Sequence, residues 1–364
     1  MIWIDLLFQI NTQVMKKSNY TLTKAQIACQ DALSSCDKCT VIKSIRSGKT
    51  LTMLDYSAKN NYLSILWVTP FLTNIDSLKE EIQKWKFRLK VTATTYNSLK
   101  NYSNKNYDII IVDECHKITQ DSLEYLQTIN CKKLICMTGT YPTRKDKKEL
   151  LENELGCQIV FRYSIQDAVA DGNVAPFTIN IIEKELSTQN NILVNTKNHK
   201  FYTSERKNYD YLLNKIYNED SPYKRSLLIF NMMRLLNTVD STISYIRNYI
   251  KNSDNKRILI FVATQEMAEK CSEYCYYGGK NDKYYKAFKE GKINHLVLVE
   301  KATIGVTYEN LDGCLLTTIN SSNSSVLQKI FRTILFRPNY TADIQILINK
   351  QTKQVEWIKK ALEN

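Results

Sequence analysis

Thr40-Val-Ile-Lys-Ser-Ile-Arg-Ser-Gly-Lys-Thr50 is an apolar run that breaks into a short loop and closes on Gly-Lys-Thr. A helix-like pattern follows at once, with Leu51, Met53, Leu54 and Ser57. Binding a phosphate chain needs such an arrangement. Backbone N–H groups of the loop, around Ser47 and Gly48, and of the helix N-terminus can surround phosphate oxygens. Lys49 is then expected at the β- and γ-phosphates of ATP, and the Thr50 hydroxyl on Mg²⁺. Gly48 lets the backbone approach closely. A full phosphate loop has a further glycine five residues before Gly48; here that position is Lys43. Gly-Lys-Thr alone is common by chance, and the strand ahead of it is what separates this stretch from an ordinary turn into a helix.

Further along, Tyr107-Asp-Ile-Ile-Ile-Val-Asp-Glu-Cys-His116 is a second apolar strand, ending abruptly in two carboxylates. Ligands bind at the carboxyl edge of a parallel sheet. Asp113 is expected to hold Mg²⁺ and Glu114 to orient the attacking water. The bland alternative is a strand followed by a solvated acidic turn. Leu134-Ile-Cys-Met-Thr-Gly-Thr-Tyr-Pro142 ends another strand in Thr138-Gly139-Thr140. Apolar runs at Leu63–Thr69 and Lys90–Ala93 flank a helical stretch, Asn74–Trp85, with Ile75, Leu78, Ile82 and Trp85 on one face. Strands and helices alternate again from Arg257–Ala263 through His295–Val299, Cys314–Ile319 and Ile344–Asn349. The pattern predicts an α/β fold with parallel sheets. Asn195–Arg257 differs: it is polar, Tyr-rich and expected to be helical without strands. It holds twelve Lys or Arg against six Asp or Glu. Such a segment is either a solvated helical face or a nucleic-acid-facing element whose tyrosines stack on bases.

Composition narrows the classes. The 364 residues suit about two domains. Only 9 Gly and 5 Pro exclude collagen-like and linker-rich chains, and 43% hydrophobic residues exclude wholesale disorder. No apolar run reaches the roughly 18 residues of a membrane span. The opening MIWIDLLF is too short for a signal peptide and carries Asp5, so a cytoplasmic protein is expected, with no membrane partner. A net charge of +13 favours a polyanionic partner. The Lys excess, 39 against 11 Arg, is also what an A+T-rich genome produces. The ten cysteines are expected to be reduced thiols. Cys36-Asp-Lys-Cys39 has zinc-knuckle spacing but no second such pair, Cys271 and Cys275 lie far away, and His116, His199 and His295 are scattered. Buried thiols rather than a metal centre are expected.

The order of these strand ends resembles the superfamily 2 DExH-box helicases. Gly48-Lys49-Thr50 is similar to motif I, Asp113-Glu114-Cys115-His116 to motif II and Thr138-Gly139-Thr140 to motif III. Leu22-Thr23-Lys-Ala-Gln26 resembles the adenine-reading element, with Gln26 as its glutamine. Val68-Thr69-Pro70 is similar to motif Ia and Thr94-Thr95-Tyr96-Asn97-Ser98-Leu99 to motif Ib. The resemblance implies nucleic-acid contacts at Thr69, Pro70, Thr95 and Tyr96. Tyr163–Phe177 resembles the connector of phage helicases of the UvsW kind, relatives of type I and type III restriction motors. Lys256–Ala263 resembles motif IV.

The resemblance implies two RecA-like parallel-sheet domains in tandem. They are expected at residues 1–165 and 251–364, with a connector and basic helical insertion over 166–250. It implies an ATP-dependent helicase or translocase using ATP and Mg²⁺ on nucleic acid, DNA in first place, in phage recombination, repair or replication. Replication or recombination proteins are the implied protein partners, and the host cytoplasm the location. The second domain departs from the pattern. At Leu298–Thr307, Gly305 and Val306 fit motif V, but Ile304 and Thr307 replace polar or acidic residues. In motif VI, Gln328 and Arg332 align as phosphate-facing residues, while Phe331 replaces a glycine and Leu335 the final arginine. An alternative therefore stands: a helicase-fold nucleic-acid-binding or scaffold protein with weak or no ATPase.

Overall fold

The computed structural model describes residues 20–44, 47–142, 144–195, 199–253, 256–278, 282–299, 311–319 and 340–362. The chain divides into two compact units, residues 1–174 and 175–364.

The first unit is built on six strands: β1 (Lys38–Lys43), β2 (Ile65–Thr69), β3 (Val91–Thr95), β4 (Asn106–Asp113), β5 (Asn130–Thr138) and β6 (Gln158–Tyr163). Their order is β3-β2-β4-β5-β1-β6, with every pairing parallel. Helices α1 (Lys24–Leu33), α2 (Lys49–Lys59), α3 (Leu72–Lys84), α4 (Gln120–Gln127), α5 (Lys145–Glu149) and α6 (Ile165–Ala170) complete it. The central strands are apolar throughout because both faces are covered. Alternate residues part to the two sides. Val41, Ile65, Trp67, Ile109, Ile111, Ile135 and Met137 pack with Leu33, Met53, Leu54 and Leu78 of α1–α3. Leu66, Val68, Ile110, Val112, Leu134 and Cys136 pack with Leu99, Leu123, Leu126 and Leu151.

The second unit repeats the plan. Its strands are β7 (Phe177–Lys184), β10 (Ile258–Val262), β11 (Cys275–Tyr276), β12 (His295–Val299), β13 (Gly313–Leu316) and β14 (Ala342–Asn349), in the order β11-β12-β10-β13-β14-β7. All pair in parallel. A hairpin of β8 (Ile192–Asn195) and β9 (Lys200–Thr203) precedes helices α7 (Glu205–Tyr217), α8 (Pro222–Thr238) and α9 (Asp240–Lys251). Then come α10 (Gln265–Cys271), α11 (Lys283–Lys289) and α12 (Lys353–Leu362). Ile258, Ile260 and Val262 pack against Ile243 and Ile246 of α9 and Met267 and Cys271 of α10.

Two expectations need correction. The segment 195–257 is mostly helical, but β9 lies inside it. The connector assigned to 166–250 gives the second sheet its edge strand, since β7 pairs with β14 from Phe177 to Lys184. Its sequence, FTINIIEK, mixes polar and apolar residues because one face of an edge strand is exposed, so no apolar run announces it. Among the described residues, no helix is long and apolar enough to cross a membrane.

Candidate functional site

The Gly48–Thr50 stretch follows β1 beyond its carboxyl end. Gly48 is the N-cap of α2 with φ 73° and ψ 38°, left-handed backbone that glycine adopts without steric cost. No side chain caps α2, so its first N–H groups are left for a ligand. The Gly48 carbonyl accepts from Thr52 N (3.0 Å), Thr52 Oγ1 (2.8 Å) and Gln26 Nε2 (3.4 Å). A Cβ at residue 48 would collide with the Gln26 amide. Gln26 is held by α1 itself: its Oε1 accepts from Thr23 N (2.8 Å) and its N–H donates to Thr23 Oγ1 (3.2 Å), a reciprocal cap. Lys49 Nζ donates to the Lys43 carbonyl (3.2 Å), and Ser47 Oγ to the Ser44 carbonyl (2.5 Å).

Lys43, at the position of the missing glycine, does not crowd the loop. Its side chain is fully buried and its Nζ donates to Thr52 Oγ1 (3.0 Å). Burial pulls its pKa down to about 8, opposed by the Cys29 thiol and aided by Lys49. One chain of bonds thus runs from Lys43 through Thr52 to Gly48.

Asp113 ends β4 and Glu114 follows with φ 51°, a left-handed value uncommon for a non-glycine residue. Strand β5 lies between β1 and β4, so Thr138 comes to the sheet edge between the loop and the acidic pair. His116 Nδ1 is 2.9 Å from Thr138 Oγ1 and 3.3 Å from Glu114 Oε2, and Thr138 Oγ1 donates to the Thr140 carbonyl (2.8 Å). The Asp113–His116 turn and the Thr138–Thr140 turn are therefore joined by side chains. Burial, then the Glu114 carboxylate, push the Asp113 pKa up; Lys49 and a hydrogen bond from Asn74 oppose this.

Hard oxygen donors such as the Thr50 hydroxyl and Asp113 carboxylate suit Mg²⁺. The surroundings fit a polar ligand as well. Ser44 Oγ, Asn74 Oδ1, Glu114 Oε2 and Thr140 Oγ1 are buried without a hydrogen-bond partner, a state that buried polar atoms rarely keep. The site thus draws on two residues that carried no sequence signal, Asn74 on α3 and Thr52, and on Lys43, which the sequence marked only as a missing glycine. Gly305, Gln328, Phe331, Arg332 and Leu335 lie outside the described residues.

The side chains expected to touch nucleic acid divide. Pro70 is partly exposed at the end of β2, and Thr95 partly exposed at the end of β3. Thr69 is buried. Tyr96 is a correction. Its ring lies in the core beside Leu99 and Cys115, and its hydroxyl donates to the Asp113 carbonyl (2.8 Å). It supports the acidic strand end from below, because the turn after β3 points the ring back into the sheet. In the second unit, α7 and α8 leave aromatic rings open to solvent: Tyr211 is 55% exposed, Tyr223 74% and Phe230 62%. Tyr211, Lys215 and Lys224 line a groove between the two helices.

A family model of the SWI2/SNF2 ATPase matches residues 71–210. No curated protein matches the chain. Among solved structures, the helicase domain of Pyrococcus furiosus Hef is similar with a TM-score of 0.57 at 14% identity, over 92% of this chain and 97% of that one. The fold is that of tandem RecA-like helicases. The ATP-dependent type ISP restriction-modification enzyme LlaBIII, bound to DNA, gives 0.63 at 14% identity over 96% of this chain. Mycobacterium smegmatis helicase Lhr, bound to single-stranded DNA and AMP-PNP, gives 0.57 at 13% over 94%. This chain spans 30% of LlaBIII and 48% of Lhr. The helicase fold accounts for both six-stranded sheets.

Proposed function

We propose that this chain is an ATP-dependent nucleic-acid helicase or translocase. The carrying observation is the meeting, at one sheet edge, of the Gly48–Lys49 loop, the Asp113–Glu114 pair and Thr138. Lys49 neutralises charge on the β- and γ-phosphates, and the N-terminal N–H groups of α2 hold the phosphate oxygens. Thr50 and Asp113 hold Mg²⁺, which when bound screens phosphate charge and orients the chain. Glu114 orients the attacking water and takes up its proton. His116 lies 3.3 Å from this carboxylate and meets Thr138, whose hydroxyl donates to the Thr140 carbonyl. Gln26 braces the Gly48 carbonyl and borders the base end of the nucleotide. Ser47 and Gly305 are assigned to the nucleotide, and Gln328 and Arg332 to its phosphates.

The proposed partner is DNA, contacted through the Thr69–Pro70 and Thr95 turns, with the Tyr211, Tyr223 and Phe230 rings as a second, base-stacking surface. The UvsW-like features of the sequence favour phage recombination, repair or replication as the setting. A second reading, a nucleic-acid-binding scaffold with slow turnover, draws on Phe331 and Leu335 in place of a glycine and an arginine.

Calorimetry tests the nucleotide site. Lys49→Ala is expected to lose ATP binding. Glu114→Gln is expected to bind like wild type and lose turnover. Equal ATP affinity in wild type and Lys49→Ala would overturn the assignment.

A further inference from the structure

At the opposite end of β1 from the phosphate loop, two thiols meet. Cys36 lies in the turn after α1 and Cys39 is the second residue of β1. Their Sγ atoms are 3.0 Å apart, about 1 Å beyond bonding distance. The two differ in access: Cys36 is partly exposed and Cys39 fully buried. A cation stands beside them. Lys133 of β5 is buried and its ammonium donates to the Leu33 and Cys36 carbonyls. It also hydrogen-bonds Cys39 and draws the thiol's pKa down, against the burial that lifts it to about 12.

This ammonium already occupies the electropositive place beside the sulfurs, satisfying carbonyls at the end of α1. No group of three or more His, Cys, Asp or Glu able to hold a metal exists among the described residues. The site offers a partly exposed thiol to react, a buried thiol in contact to resolve, and a cation to stabilise developing thiolate.

We propose that Cys36 and Cys39 are a thiol–disulfide exchange site that takes small-molecule disulfides and closes to an intramolecular disulfide. The Cys36 thiolate attacks one sulfur of the small disulfide, forming a mixed disulfide and releasing one small thiolate. Cys39 gives up its proton and attacks Cys36 Sγ, displacing the second. The protein loses two electrons and two protons, and the small disulfide becomes two thiols. Lys133 holds charge on Cys39 during the second step. With β1 rising about 3.3 Å per residue, the thiols sit roughly 13 Å from the Lys43 end of the strand. The site is separate from the proposed nucleotide site and independent of that reading.

The test treats the full-length native chain with hydroxyethyl disulfide at neutral pH, followed by acid quench, alkylation and tryptic mass mapping. Trypsin cuts after Lys24, Lys38 and Lys43, so peptides 25–38 and 39–43 are expected to emerge joined. Cys36→Ser should remove the link, which separates Cys36 from Cys29 on the same peptide. Cys39→Ala should accumulate a mixed disulfide on Cys36 at least tenfold above wild type. A link that survives Cys36→Ser overturns the proposal. So does a stable mixed disulfide on Cys36 of wild type, or a link formed only after unfolding in urea.

Discussion

At Gly48 a single hydrogen atom in place of a side chain serves two needs. The left-handed backbone admits the turn into α2, and the empty Cβ position admits the Gln26 amide. Gly48→Ala would strain the first and block the second. ATP affinity is expected to fall at least tenfold, about 1.4 kcal/mol, with the far-UV spectrum unchanged; calorimetry on both proteins checks it. Residue identity alone also misled at this scale. Tyr96 stands in a motif that suggests nucleic acid, yet its ring is core and its hydroxyl supports Asp113. Lys43 looked like damage to a phosphate loop, yet its side chain turns into the interior. Neither rotamer is written in the local pattern, because each depends on what strands distant in sequence leave vacant.

Strands and helices show why some elements are legible and others not. Buried central strands such as Ile109–Val112 announce themselves as apolar runs, whereas the edge strand β7 does not. At the end of β7, Lys184 is half-buried with its Nζ donating to Ser241 Oγ (2.5 Å), which donates to Glu205 Oε2 (3.0 Å). Burial lowers the Lys184 pKa from 10.5 to about 8, with Glu205 opposing. The unfolded chain then binds the proton more tightly, so this group's contribution to stability rises between pH 8 and 10.5. Lys184→Met lacks that slope. The stability of the variant minus that of wild type is expected to shrink as pH rises through this window, measured by urea unfolding. A constant difference would contradict it. Beneath α8, Asn349 N and Nδ2 donate to Gln354 Oε1 (2.9 and 2.8 Å), and Gln354 Nε2 to Asn237 Oδ1 (3.0 Å), all buried. Gln354→Leu takes the acceptor from Asn349 N–H, while Asn349 Nδ2 keeps the Leu236 carbonyl (3.0 Å) and Asn237 Oδ1 keeps the Ile319 N–H (3.3 Å); it should cost about 1–3 kcal/mol, read as a lower denaturation midpoint. On the surface, Arg206 is paired with Asp210 (3.3 Å), so Lys200, Lys215 and Lys224 are the better probes of DNA binding. Replacing all three by Ala should reduce the log–log salt slope of DNA binding by about 0.7–0.9 for each phosphate that is no longer neutralised.

Over the whole molecule, the alternation of apolar strands and amphipathic helices carried the fold, because parallel sheets covered on both faces permit few other solutions. The residues proposed for the nucleotide site stand out in the sequence because strand-end motifs keep loop, carboxylates and threonines in sequence order. Asn74 and Thr52 were not, since their roles arise only where α3 and α2 pack beside the sheet edge. The central claim is that this edge hydrolyses ATP when nucleic acid is bound. The direct measurement is phosphate release by the full chain with Mg·ATP, with and without single- and double-stranded DNA and RNA, beside Glu114→Gln. The account predicts turnover in wild type that at least one nucleic acid raises tenfold or more and that Glu114→Gln abolishes. Turnover that no nucleic acid changes, or that survives Glu114→Gln undiminished, would contradict it.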